Sequence, residues 1–243
     1  MTDNYLIPKV IHYCWFGGAE KSELIKKCIH TWEQMCPDYE ILEWNESNFD
    51  INICPYVQEA YQEKKWAFVS DYARLWILYN EGGIYLDTDV ELLKSLNSVL
   101  GYKTFFASED DHNINTGIGF GSVAQSHAIK VLLDDYESIH FIRDIDRSCD
   151  MLPCTTRNTE SFERKFGSTQ RYLNRMLENG IIIFSQEYFC PFNNVTGEMN
   201  ITDKTIAIHW FSASWRSKYI NSREKIMRPI KKLIKNIKSY FRA

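Results

Sequence analysis

The stretch "NEGGIYLDTDV", Asn80 to Val90, constrains this 243-residue chain more than any other. A double glycine, three apolar residues and then Asp87-Thr88-Asp89 read as a turn into a short buried strand that ends on two acids. In a strand the first and third side chains share a face, and the carboxyl end of the strands is the edge on which open α/β sheets bind ligands. Two carboxylates placed there raise each other's pKa and cost stability unless a cation or a shared proton lies between them. The competing reading is a solvated turn, because Asp and Thr are ordinary turn residues.

The residues before this stretch set its context. From Trp66 to Asn80 the apolar residues crowd too densely for a surface helix, which predicts a helix packed against a sheet and stopped by Gly82-Gly83. Asp71 and Arg74 share a face of that helix, either as a structural i,i+3 pair or as a pair aimed where the two acids point. "IPKVIHYCWFGG" (7–18) reads as the opening strand, 22–35 as an amphipathic helix, 39–44 as a second strand, and Pro55 as the start of another helix. Further strands are predicted over 84–87, 104–108, 117–121, 181–185 and 205–210, with helices over 125–136 and 159–177. Strands alternating with helices predict an α/β fold with a mixed, mostly parallel sheet flanked by helices.

Other polar residues fall at strand ends. His209 follows the apolar "IAI" and is either a structural histidine or, if the two strand ends meet, a third ligand beside the carboxylates. Trp15 offers a stacking wall for a base or fills the core. "EDDHNINTGIGFGS" (109–122) lacks the lysine and the following helix of a phosphate loop. It is an acidic surface loop, or a loop whose glycines let a sugar approach the backbone while Asp111, Asn113 or Asn115 touch it.

Charge narrows the partners. The formal total is −4, but residues 223–243 hold eight basic residues against one acid, a charge of +7 that leaves −11 for the rest. An acidic body suits neither nucleic acid nor another polyanion. In the tail, Ile226, Ile230, Leu233, Ile234, Ile237 and Phe241 fall on one helical face among lysines. This predicts a basic amphipathic helix, either lying on an anionic membrane surface or folded back onto the body. Seven cysteines without a C-x-x-C pair suggest reduced thiols rather than a disulfide framework or a zinc knuckle. The first residues lack a signal-peptide pattern and no stretch approaches the length that spans a bilayer, so the expectation is a cytoplasmic protein, held peripherally at the inner face of the membrane if the tail binds lipid.

Taken together, "IPKVIHYCWFGG", "FVSDYARLWILYNEGGIYLDTDV" and "AIHWFSASW" resemble the family 32 glycosyltransferases, the DXD sugar transferases of capsule synthesis and of Golgi mannosylation. They are more distantly similar to the glucosylating domains of large clostridial toxins. The resemblance implies a GT-A nucleotide-sugar fold over residues 1–220 followed by the C-terminal helix of 221–243. It also implies Mn2+ or Mg2+ as cofactor and hexose transfer with retention of anomeric configuration. UDP-hexoses are favoured as donors over GDP-mannose, and the acceptor is a glycan or lipid-linked saccharide of a surface polysaccharide such as a bacterial capsule. Carried over position by position, Asp87, Asp89 and His209 hold the metal, and Asp71, Arg74, Asp87 and Asp89 form the catalytic group. Trp15 stacks on the base, with Tyr85 near the donor, while Ser212, Ser214 and Trp215 close over the diphosphate. Asn115 joins the nucleotide-sugar-binding candidates from the reading of the 109–122 loop.

"IYLDTDV" also resembles the signature of haloacid-dehalogenase-type phosphatases, in which Asp87 would be the nucleophile. Those enzymes place the motif on their first strand and need a later lysine. A catalytically inactive sugar-binding module is the remaining alternative, and it predicts the loss of a metal ligand.

Overall fold

The computed structural model describes residues 6–212. β-Branched and aromatic runs at Val10–Cys14 (β1), Glu40–Trp44 (β2) and Gly83–Tyr85 (β3) form one half of a sheet. After Val90–Leu92 (β4), the runs at Thr104–Ala107 (β5), Phe120–Ser122 (β6) and Ile181–Phe184 (β7) complete it in the order β2-β1-β3-β6-β5-β7. Five of the six strands run the same way. β6 alone is antiparallel, pairing Ile84 with Gly121 on one side and Phe105 with Gly121 on the other. β4 pairs with the last strand, Ala207–His209 (β8), in a separate antiparallel ribbon whose register sets Val90 opposite His209.

The pleat sends alternate side chains into two apolar layers. Phe106 and Ile183 point to the face covered by Pro55–Gln62 (α2), Trp66–Glu81 (α3), His127–Glu137 (α4) and Cys154–Phe166 (α5). Phe105 and Ile182 point to the other face, covered by Glu23–Met35 (α1), Gln186–Phe189 (α6) and the β4–β8 ribbon. On that side two hydrogen bonds tie α1 to β4: Trp32 Nε1 donates to the Val90 carbonyl at 2.7 Å and Thr31 Oγ1 accepts from the Leu92 amide at 2.9 Å. All seven cysteines are free thiols. Among the described residues no helix is long and apolar enough to cross a membrane. The tail of 221–243 lies outside them.

Three expectations change. The strand of 84–87 does not run into the acids: β3 stops at Tyr85 and β4 starts at Val90, so Asp87-Thr88-Asp89 forms the turn between two different sheets. The helix expected over 159–177 begins earlier, at Cys154, and ends at Phe166, where Gly167 reverses the chain at φ +82° and its amide closes onto the Glu163 carbonyl. A single 3₁₀ turn at Thr169–Tyr172 is all that follows it. Finally, the strand placed at 117–121 starts only at Phe120, leaving Gly117 to Gly119 as irregular backbone.

Candidate active site

α3 is buried on nearly all sides, which is what its dense apolar sequence requires, and it carries Asp71 and Arg74 inward with it at 7% and 3% exposure. Two buried charges are tolerable only when paired. Arg74 Nη2 lies 3.1 Å from Asp71 Oδ1 and 3.2 Å from Asp87 Oδ1, its Nε donates to the Ser70 carbonyl at 3.1 Å, and its plane sits 5.0 Å from the Tyr85 ring centre. Arg74 thus ties the helix to the acidic turn. Burial pushes the Asp71 carboxyl up to about 6 against the pull of Arg74. Burial opposes the charge on Arg74, but Asp87, Tyr85 and Asp71 together outweigh it and keep the guanidinium protonated.

The turn itself is held from three sides. Gly82 ends α3 at φ +71°, where an added Cβ would come within 2.8 Å of the Ala124 amide, so only glycine turns the chain tightly enough to start β3. Tyr85, 1% exposed, does not reach the surface of the site, and its hydroxyl donates to Asp87 Oδ1 at 3.1 Å. On the far side the Asp87 amide donates to the Gly117 carbonyl at 2.8 Å, and a Cβ on Gly117 would lie 2.1 Å from Asp87 Oδ2. Gly117 is explained there by the Asp87 carboxylate pressing on bare backbone, whereas Gly119 and Gly121 make room for the Phe189 and Phe105 rings.

Asp89 is served by the other end of the chain. His209 Nε2 lies 3.2 Å from Asp89 Oδ1, and the Ser212 amide donates to Asp89 Oδ2 at 2.7 Å. Burial would raise the Asp89 pKa, but His209 and Ser212 outweigh it and hold the carboxyl well below the usual range. Burial likewise disfavours an imidazolium at His209, but the charge and hydrogen bond of Asp89 together with Cys190 outweigh it and raise the His209 pKa well above the ordinary value. The two acids of the motif therefore do not share one partner within the protein: Arg74 serves Asp87 and His209 serves Asp89.

Asp87, Asp89 and His209 offer ligand atoms that all lie within 4.8 Å of one another, the group among the described residues that could hold a metal ion. His209 turns its Nε2 to Asp89, and its Nδ1 is buried without a hydrogen-bond partner. Two oxygens and an imidazole nitrogen form a donor set suited to a divalent cation.

These groups open onto a cavity of about 740 Å³. Trp15, Asp71, Arg74, Asp87, Asp89, Asn115, His209 and Ser212 all line it. Trp15 is fixed there, its Nε1 donating to the Ala19 carbonyl at 2.7 Å and the Lys21 ammonium lying 5.3 Å from its ring. Tyr85 stands behind Asp87 rather than in the cavity wall, and Ser214 and Trp215 lie outside the described residues. Asp111 and Asn113 are absent from the lining: Asp111 Oδ1 accepts from the Gln186 amide at the start of α6, and Asn113 Nδ2 donates to Asp110 within its own turn.

Several lining residues escaped the sequence reading. Trp66 and Ser70 stand eight and four residues before Arg74, a helical spacing that could have placed them beside it. Phe211 packs its ring 4.1 Å from that of His209. Met151, Pro153, Cys154, Thr155, Asn194 and Val195 come from a stretch with no recognised motif, and no local signal marked them.

Residues 22–106 match the family described as the glycosyltransferase sugar-binding region containing the DXD motif. An uncharacterized glycosyltransferase of Acanthamoeba polyphaga mimivirus is 28% identical over 223 residues, 86% of this chain and 84% of that protein. Inositol phosphoceramide mannosyltransferase 3 of Schizosaccharomyces pombe is 30% identical over 124 residues, 46% of this chain and 32% of that protein, so the chain spans about a third of it. Among solved structures, the PaToxG glycosyltransferase superposes with a TM-score of 0.53 at 19% identity, over 68% of this chain and 72% of that one. A glycosyltransferase involved in glycosylation of the major capsid of PBCV-1 superposes with a TM-score of 0.50 at 11% identity, over 90% and 99%. The fold is that of these glycosyltransferases, the GT-A type that the sequence resemblance implies.

Proposed function

We propose that this glycosyltransferase of the DXD-containing class moves a hexose, with retention, from a nucleotide sugar to a glycan or lipid-linked saccharide in a metal-dependent reaction. The observation that carries the reading is the convergence of Asp87, Asp89 and His209 within 4.8 Å, beside the buried Asp71–Arg74 pair, in one cavity. Mn2+ or Mg2+ bound by those three residues would neutralise the charge that builds on the departing diphosphate.

The protein's own groups do the rest. Asp71 and Arg74, rigid on a buried helix, present a carboxylate and a guanidinium whose geometry suits the donor-sugar hydroxyls. Arg74 and Tyr85 fix the Asp87 carboxylate, so Asp87 meets the donor already oriented. Trp15, held by Ala19 and Lys21, supplies a wall for the base, and Ser212 lines the cavity while its amide holds Asp89. All three candidate metal ligands are present together, contrary to what an inactive module predicts.

UDP-hexoses are the preferred donors and GDP-mannose the alternative. The fission-yeast relatives are named for a mannosyl transfer to inositol phosphoceramide, which keeps both GDP-mannose and a lipid-borne acceptor in play. We place the reaction in surface polysaccharide synthesis, such as that of a bacterial capsule, in the cytoplasm at the inner face of the membrane, with the +7 tail of 223–243 drawn to anionic lipid. The test incubates the full chain with UDP-glucose, UDP-galactose and GDP-mannose in Mn2+, Mg2+ or EDTA and follows release of the nucleotide diphosphate. One donor should turn over slowly in water, and EDTA should stop it. Turnover of phosphate esters but of no nucleotide sugar would return the site to the phosphatase reading.

A further inference from the structure

The sheet order sets out the site along one edge. β1 ends at Cys14 and delivers Trp15, β3 delivers Asp87, β6 begins beyond Gly117, and β5 ends at Ala107 and delivers Glu109. Neighbouring strands lie about 4.8 Å apart, so β5 stands roughly 10 Å beyond β3, on the side away from β1. A nucleotide with its base at Trp15 and its diphosphate at Asp87 and Asp89 directs its sugar toward Glu109.

Glu109 is built into that position. It lines the cavity, half-buried, and Asn115 Nδ2 donates to its Oε2 at 2.8 Å. Asn115 is itself 7% exposed and spends its carbonyl oxygen on the Gly117 amide at 2.7 Å, while its own amide donates to the Ala107 carbonyl at 2.9 Å. Asn115 therefore belongs to the protein more than to a ligand: one amide side chain fixes Glu109 on one side and, through Gly117, the backbone that holds Asp87 on the other. Glu109 Oε1 accepts no hydrogen bond from the described residues, and Glu109 is not among the three residues whose ligand atoms converge. A carboxylate aimed into a sugar-sized cavity, braced at one oxygen and open at the other, is suited to accept from a hydroxyl. Beyond it the wall is formed by Met151, Pro153, Thr155, Asn194 and Val195, of which Met151 and Val195 are each 45% exposed.

We propose that Glu109 is the acceptor-binding carboxylate of the site, taking a hydroxyl of the acceptor sugar next to the one that attacks, with Asn115 as its positioning residue. This rests on the hexosyl-transfer reading above. In that transfer the bond from the anomeric carbon to the diphosphate oxygen breaks and its electron pair goes to the diphosphate. The acceptor oxygen bonds to the anomeric carbon, and its proton leaves on the diphosphate. Glu109 takes no proton and fixes which acceptor oxygen faces the anomeric carbon. Asp71 and Arg74 are left to the donor.

The test uses the full chain, the UDP- or GDP-sugar it hydrolyses, and a panel of octyl hexosides as acceptors, whose alkyl chain suits the exposed Met151 and Val195. The reading is the ratio of transfer to octyl hexoside over transfer to water, which does not depend on how much of a variant is folded. Glu109→Gln should lower that ratio about tenfold or more by weakening the hydroxyl contact. Glu109→Asp, which keeps the charge but withdraws it by one methylene, should also lower it. An unchanged ratio in Glu109→Gln overturns the proposal, as does a wild type that hydrolyses donor but transfers to none of the octyl hexosides. A wild type that consumes no nucleotide sugar overturns the functional reading instead, and so the two failures are distinguishable.

Discussion

His12 and His209 are both buried strand residues, 1% and 8% exposed, and they have opposite fates. His12, on β1, has both ring nitrogens used: Nε2 donates to the Gly82 carbonyl at 3.0 Å and Nδ1 accepts from Trp44 Nε1 at 3.1 Å. That pattern fits only the neutral ring, since a second proton would point at the Trp44 N–H. Burial accordingly pushes its pKa down to about 4, with the Gly82 carbonyl acting weakly the other way. His209, at the end of β8, faces a carboxylate with one nitrogen and has no partner for the other. Burial alone does not distinguish a structural from a functional histidine. The difference is whether the surrounding protein completes the ring's hydrogen bonds, as at His12, or sets the ring against a carboxylate in a cavity, as at His209.

The largest expected effect breaks the His209 side of this comparison. Asp89→Asn removes a ligand oxygen's charge and the partner of His209, and should cut metal-dependent donor turnover about a thousandfold in a diphosphate-release assay, roughly 4 kcal/mol of barrier. Residual activity within tenfold of wild type would remove Asp89 from the metal group.

The His12 side predicts a stability effect with a definite sign. Its folded pKa, about 4, lies below the ordinary 6.5, so between those values the unfolded chain binds more protons. Stability is full above pH 6.5 and is lost as pH falls toward 4, by up to about 3 kcal/mol. Urea denaturation of wild type and His12→Gln at pH 7 and pH 4.5 isolates this contribution. Parallel losses in the two proteins would show that His12 is not the group responsible.

Next in size is the contact between the acidic turn and bare backbone. Gly117→Ala places a methyl 2.1 Å from Asp87 Oδ2, so the carboxylate must move, at a cost in turnover of about a hundredfold with the fold retained by circular dichroism. The smallest effect belongs to Tyr85→Phe, which removes the hydrogen bond to Asp87 Oδ1 while Arg74 still holds that oxygen. Turnover should fall about fivefold. A larger loss than for Gly117→Ala would mean that Tyr85, and not Gly117, sets the position of Asp87.

Much of this was legible from the chain's order. The dense apolar run of 66–80 announced a buried helix, and the strands at 104–108 and 181–185 were found within a residue or two. The element boundaries that failed did so at glycines and turns. Gly167 stopped a helix whose apolar pattern continued, and the Asp87–Asp89 turn joined two sheets where a single strand had been expected. Within the site, residues carried by compact motifs lie together: Asp71, Arg74, Asp87, Asp89 and His209 share one cavity. Glu109 and the wall from Met151 to Val195 were not visible, because nothing in their spacing distinguishes a cavity wall from an ordinary polar loop.

The sequence by itself determined what is local: where apolar periodicity makes a helix or a strand, that Gly82-Gly83 ends one element and opens the next, and that Asp87 and Asp89 stand close enough to need cations. Those properties depend on neighbours within about four residues, the reach of backbone hydrogen bonding and side-chain spacing. Only the tertiary structure decided which cation serves which acid. Arg74 comes from 13 residues before Asp87 and His209 from 120 after Asp89, and they arrive because β3 lies beside β1 and β6 while β4 pairs with β8. Strand order is a global packing outcome, set by which apolar faces cover one another. The same packing leaves Glu109 two strands from the acidic turn and one nitrogen of His209 without a partner.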